Sequence, residues 1–153
     1  MSRVVVIGVG NAYRGDDGAG LAVVERLRGR VPEGVDVVAS EEEPTRLMDA
    51  WDGADSVVVV DAVASGCEPG ELHRFDASAD GVPARVFRSS THAFGIGEAI
   101  ELARALGTLP GQVLVYGIEG AAFDACEGLS PPVEAAVELL ADTVLEELCT
   151  SAR

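Results

Sequence analysis

Asp16 and Asp17 stand on a glycine-rich turn, Gly8-Val9-Gly10-Asn11-Ala12-Tyr13-Arg14-Gly15-Asp16-Asp17-Gly18, directly after the apolar run Val4-Val5-Val6-Ile7. A strand that breaks into glycines and then a helix ordinarily presents backbone N–H groups to an anion. Gly10 and Gly15 have the spacing of a phosphate-binding loop, which would continue with Lys and then Ser or Thr. Asp16 and Asp17 occupy those two places and would repel phosphate. The dinucleotide pattern GxGxxG fails as well, since Tyr13 stands where its third glycine belongs. Paired carboxylates on a tight turn suit a cation, a polarised water or a metal-bearing partner.

Two further side chains have the right chemistry to join them. Asp61 closes the valine run Val57–Val60, and His92 precedes a helix after the Ala84–Phe87 segment. In open α/β sheets, ligands gather beyond the carboxyl ends of the strands. If these strands are neighbours, Asp17, Asp61 and His92 converge. Two carboxylates and an imidazole suit a divalent metal with open positions for water or substrate. One carboxylate could instead act as general base on a water molecule. Each residue also has a structural reading. One of Asp16 and Asp17 can serve as a helix N-cap, leaving the other to point elsewhere. Asp61 can be a Walker B-like acid or a strand-end turn residue, and His92 can belong to the capping region of Ser89, Ser90 and Thr91.

Other nucleophile patterns are absent or weak. No G-x-S-x-G elbow occurs. Cys67 and His73 are close in sequence, but Cys67 sits in a glycine-rich loop, and the pair is not read as a catalytic dyad. His73, inside a strand, reads as a surface residue, and Trp51 as packing. The three cysteines, Cys67, Cys126 and Cys149, show no CxxC spacing. They read as buried thiols of a reducing compartment.

The elements that must position these groups alternate between strand and helix. Strands are expected at Arg3 to Val9, Val35 to Ala39, Ser56 to Val60, Glu71 to Phe75, Ala84 to Phe87 and Val113 to Ile118. Helices are expected from Gly18 to Arg28 with Leu21, Val24 and Leu27 on one side, and from Pro44 to Trp51. A third should start near His92 or Ala93 and end at Gly107, carrying Ile96, Ile100, Ala103 and Leu106. The last begins with Ser130 as cap and Pro131 inside, burying Val133, Val137, Leu140, Val144 and Leu148. Ala64 to Gly70 and Glu119 to Ser130 read as loops. Such alternation implies an α/β fold, a mainly parallel twisted sheet with helices on both faces in a three-layer sandwich.

At 153 residues the chain is expected to form one domain over 1–150 with a short tail at 151–153. The 48% hydrophobic share with 24% charged residues fits a globular core rather than disorder. The net charge of −15 argues against nucleic acid, and every cation is arginine. No apolar run approaches the roughly 20 residues that span a bilayer, and no signal-peptide core is visible. A cytoplasmic protein without membrane contact is expected.

Gly8-Val9-Gly10-Asn11, Gly15-Asp16-Asp17-Gly18-Ala19-Gly20, Val60-Asp61-Ala62 and Thr91-His92-Ala93-Phe94-Gly95 together resemble the nickel–iron hydrogenase maturation endopeptidases. The resemblance continues through Gly117-Ile118-Glu119 and Gly128-Leu129-Ser130-Pro131, so it spans nearly the whole chain in order. It implies a compact α/β sandwich, phosphorylase/hydrolase-like, and a peptidase, and a monomer is expected. That peptidase trims a C-terminal extension from the hydrogenase large-subunit precursor after nickel insertion. It further implies Asp17 as the nickel-contacting acid, Asp61 as the second acid and His92 as the imidazole, with nickel supplied by the substrate and no organic cofactor. Two departures stand out. Ser40-Glu41-Glu42-Glu43-Pro44-Thr45 replaces a glycine-rich segment common in the family, and Gly120 replaces a proline after Glu119. A generic divalent-metal peptidase and a non-enzymatic metal-binding maturation module are the alternatives.

Overall fold

The computed structural model describes residues 3–11, 15–40, 44–78, 96–121, 123 and 128–151. The expected Ala84–Phe87 strand, the helix start near His92 or Ala93, His92 itself and Cys126 lie outside the described residues. Strand β1 (Val4–Val9) leads through a 3₁₀ turn (Gly15–Gly18) into helix α1 (Ala19–Leu27), then β2 (Val35–Ser40) and α2 (Pro44–Trp51). After β3 (Ser56–Val63) come β4 (Leu72–Asp76), α3 (Ile96–Leu106), β5 (Gln112–Glu119) and the long α4 (Pro131–Ser151).

The five strands form one sheet in the order β2-β1-β3-β5-β4. All neighbours run parallel except β4, which pairs antiparallel with β5. The β-branched runs of β1, β3 and β5 fill the middle of the sheet because they are apolar on both faces, as parallel strands covered by helices must be. One face packs on α1 and α4 through Val6, Val58, Val60, Leu114, Ile118, Val24, Val137 and Leu140. The other packs on α2 and α3 through Val5, Ile7, Val59, Val115, Leu47, Trp51 and Ile100. The result is the expected α/β arrangement with helices on both sides of a mainly parallel sheet.

Several details differ from the sequence reading. β3 continues three residues beyond Val60, because Ala62 and Val63 keep pairing with Ile118 and Glu119. Asp61 is therefore inside the strand near its carboxyl end. In α1 the buried side is Ala19, Gly20, Val23, Val24 and Leu27, and Leu21 is only partly covered. In α3, Ala99 joins Ile96, Ile100 and Ala103 in the core, while Leu106 is 61% exposed at the end of the helix. The residues expected to be buried on the last helix all are.

Sheet order fixes where a site can form. From β1 the chain crosses to β2 on one side, and from β2 it returns past β1 to β3 on the other. The order reverses between β1 and β3, and the crevice at their carboxyl ends is where doubly wound sheets hold ligands.

Candidate active site at the carboxyl edge of the sheet

The 3₁₀ turn sits in that crevice and packs against β3 as well as α1. Its depth follows from glycine. A Cβ on Gly20 would lie 2.3 Å from the Val60 carbonyl oxygen and 2.6 Å from that of Val9, so α1 starts directly on the backbones of β1 and β3. A Cβ on Gly10, where φ is +150°, would lie 2.0 Å from the Asp17 carbonyl oxygen. That carbonyl accepts the Asn11 N–H at 3.3 Å, which ties the loop leaving β1 to the turn. Neither Asp16 nor Asp17 retains any exposed surface, and Asp61 is 1% exposed.

The two adjacent aspartates have different settings. Asp16 Oδ1 accepts the Ser130 N–H at 2.7 Å, while Oδ2 accepts the Ala121 N–H at 2.7 Å and the Ser130 hydroxyl at 2.8 Å. Asp16 thus clamps the β1 loop to the segment after β5 and to the entry of α4. It is not the cap of α1, whose N-cap residue is Gly18, with no side-chain cap bond. The Ser130 carbonyl accepts the Glu134 N–H at 2.9 Å and starts α4, but its hydroxyl is given to Asp16 instead of the helix. A buried carboxylate is tolerable because charge-assisted N–H and O–H donors replace its lost water.

Asp17 and Asp61 are the expected site residues that the described structure brings to one crevice, on a turn and a strand that pack together. Asp61 Oδ1 accepts the N–H of the next residue, Ala62, at 2.8 Å. Its side chain is on the α2/α3 face, because Val57, Val59 and Val63 of the same strand enter that core and faces alternate along a strand. Both are buried carboxylates on elements that pack together, and hard oxygens withdrawn from solvent favour a cation or a proton. The third expected member, His92, lies outside the described residues, in the segment that precedes α3 in sequence.

The same sheet face carries residues that the sequence reading did not connect. Asp61 is in register with Gly117, and Gly117 with His73 of β4. With strands about 4.8 Å apart, Asp61 and His73 are about 10 Å apart across a residue with no side chain. His73 is no open surface residue: its side chain is 14% exposed, and Nε2 lies 3.1 Å from Glu119 Oε1. Glu119, 2% exposed at its side chain, also accepts the Ser65 N–H at 2.8 Å and the Ser65 hydroxyl. Cys67 and Cys149 are exposed free thiols rather than the buried ones expected. A signal for the His73–Glu119 pair did exist, an imidazole in a strand and an acid ending a valine-rich strand. Only the antiparallel reversal of β4 joins them.

A family model for hydrogenase maturation proteases, HycI, matches residues 21–147. The chain belongs to this family. It is therefore a hydrolase of the endopeptidase kind. The hydrogenase expression/formation protein HupD of Bradyrhizobium diazoefficiens is 31% identical over 137 residues, 86% of this chain and 70% of that one. The hydrogenase 2 maturation protease of Escherichia coli is 27% identical over 150 residues, 95% of this chain and 90% of that one. Among solved structures, the hydrogenase-maturating endopeptidase HybD of E. coli superposes with a TM-score of 0.84 at 27% identity, covering 97% of this chain and 93% of its own. The [NiFe] hydrogenase maturation protease HybD of Thermococcus kodakarensis gives 0.76 at 25% identity, covering 95% and 99%. Among the described residues no helix is long and apolar enough to cross a membrane.

Proposed function

We propose that this protease removes the C-terminal extension of a nickel–iron hydrogenase large-subunit precursor after nickel insertion, with Asp17, Asp61 and His92 recognising the nickel that the precursor carries. The observation that carries the reading is the pair of buried carboxylates, Asp17 and Asp61, on elements packed together at the carboxyl-edge crevice between β1 and β3. Family membership supports the precursor as substrate.

The donor set suits such a substrate. Two carboxylates and one imidazole leave coordination positions open, so they hold a free ion weakly but can complete the shell of a metal already bound to another protein. Binding energy gained only when nickel is present is then available to orient the scissile peptide. No serine or cysteine nucleophile is proposed, so water makes the attack. Either carboxylate is chemically competent to take its proton. Burial sharpens this role, because a carboxylate shielded from solvent interacts more strongly with a cation or a proton than an exposed one does. Asp16 positions the turn through Ala121 and Ser130 and takes no part in the reaction. The protein acts as a monomer in the cytoplasm.

The test is to mix the protein with precursor, with and without loaded nickel, and follow the mass of the large subunit. Cleavage of the loaded form alone is expected. Equal cleavage of both forms would remove nickel recognition and favour a general divalent-metal peptidase. Stable binding without cleavage would favour a maturation module with no catalytic role.

A further inference from the structure

Beyond the crevice, the loop between β3 and β4 gathers a second set of ligand atoms. Cys67, His73 and Glu119 each offer one donor, and the three donors lie within 4.8 Å of one another. Their mixture is sulfur, nitrogen and oxygen, and none of the three belongs to the site proposed for peptide cleavage. We propose that they form a divalent-metal site of the zinc type, with thiolate, imidazole and carboxylate as protein ligands and a fourth position open to solvent.

The backbone around the cluster is fixed before any ion arrives. Gly70 N–H donates to the Glu119 carbonyl at 2.7 Å, Glu119 N–H to the Glu71 carbonyl at 2.9 Å, and Gly120 N–H to the Val63 carbonyl at 2.9 Å. Both ends of the Ala64–Gly70 loop are therefore clipped to the carboxyl end of β5. Glu119 is oriented by a split of its oxygens. Ser65 N–H holds Oε2, while Oε1 faces His73 Nε2 at 3.1 Å. The His73 ring is parallel to that of Phe75, with centroids 6.4 Å apart, which limits its rotation. Cys67 is exposed and gives an ion a path from solvent. Its Sγ lies 3.5 Å from Ser65 Oγ, whose own proton goes to Glu119, and within 4.8 Å of the acid–histidine pair.

The His73–Glu119 pair and Ser65 are sufficient to satisfy the buried carboxylate without a metal, but they give no role to the thiol aimed at them. Around zinc, sulfur sits near 2.3 Å and imidazole nitrogen and carboxylate oxygen near about 2.0–2.2 Å. Donors within 4.8 Å of one another need only small rotations to share an ion at those distances. Thiolate ligation selects zinc or cobalt over magnesium and calcium. On binding, the Cys67 thiol loses its proton to solvent, and His73 gives up its Nε2 proton to solvent and keeps or takes one on Nδ1. The metal replaces the His73–Glu119 contact, and Ser65 N–H keeps Oε2 in place. Affinity should therefore fall as pH falls. An ion there would strap the β3–β4 loop to β4 and β5, beside the row Asp61–Gly117–His73.

Cobalt(II) is the probe, titrated into the metal-free full-length protein. A thiolate-to-cobalt charge-transfer band saturating at one equivalent is expected. The band should vanish in Cys67→Ser, an exposed position where folding is not at risk. Affinity should fall by about tenfold or more in His73→Ala. The band should persist in Asp17→Ala and Cys149→Ser, which separates this site from the crevice and from the other described thiol. No band in the unaltered protein, a band that survives Cys67→Ser, or an affinity unchanged in His73→Ala would overturn the proposal.

Discussion

The two faces of the sheet are built from the same three valine-rich strands but end differently. On the α1/α4 face, Val58, Val60 and Ala62 of β3 and Leu114, Tyr116 and Ile118 of β5 stay apolar to the carboxyl edge. On the α2/α3 face, Val57 and Val59 give way to Asp61, and Val113 and Val115 give way to Gly117 and Glu119. One face is closed along its whole length. The other turns polar at the end where ligands collect, into buried carboxylates, an imidazole and a glycine gap. An α/β sheet can thus confine chemistry to one edge of one face while the opposite face supplies the stability, since burying polar groups is costly unless they are partnered.

The comparison predicts which changes damage the scaffold. Asp16 belongs to it despite its neighbour. Asp16→Ala removes a charged acceptor from the Ala121 and Ser130 N–H groups and the Ser130 hydroxyl. Buried donors left without a partner cost about 1–3 kcal/mol each, so a loss of about 3 kcal/mol is expected in denaturant unfolding. A loss under about 1 kcal/mol would show that the clamp holds nothing. Gly20→Ala should cost about 2 kcal/mol, because its Cβ would meet strand carbonyls that cannot move away. A neutral effect on thermal unfolding would mean that α1 can slide along the sheet.

The smallest effect is expected at the polar fringe of the closed face. The Tyr116 hydroxyl donates to Glu147 and accepts from Arg74 at 3.2 Å. Burial of the phenol, followed by its hydrogen bond to Glu147, pushes its pKa up from 10.0 to about 12. A raised native pKa means that the folded state retains a proton the unfolded chain releases. Its contribution is complete below pH 10 and is lost as pH rises toward about 12. Tyr116→Phe should cost about 1 kcal/mol at neutral pH and flatten the fall in stability over that alkaline interval. An unchanged alkaline profile would place the titration elsewhere.

Much of this architecture is legible in the sequence, because local patterns carry it. Consecutive valines in β1 and β3, glycines at the start of α1 and the spacing along α4 specify element type without reference to the rest of the chain. What depends on contacts between distant residues is not legible. Asp16 and Asp17 look alike in sequence, yet only contact with Ala121 and Ser130 makes Asp16 a clamp. His73 looks like a surface residue of an edge strand until β4 is paired antiparallel with β5 and Glu119 meets its ring. Asp61 looks like a strand terminus because valines stop there, whereas pairing with β5 carries the strand through Val63.

The central claim is that Asp17 and Asp61 in the crevice between β1 and β3 perform or direct the cleavage, while Asp16 only holds the turn that carries Asp17. Single-turnover cleavage of nickel-loaded precursor, followed by the mass of the large subunit for Asp17→Ala, Asp61→Ala and the unaltered protein, tests it most directly. Both variants should remain folded, with stability altered by no more than about 1–2 kcal/mol. Cleavage should fall by at least about a hundredfold, the low end for loss of acid–base catalysis. Full cleavage by either folded variant would contradict the account.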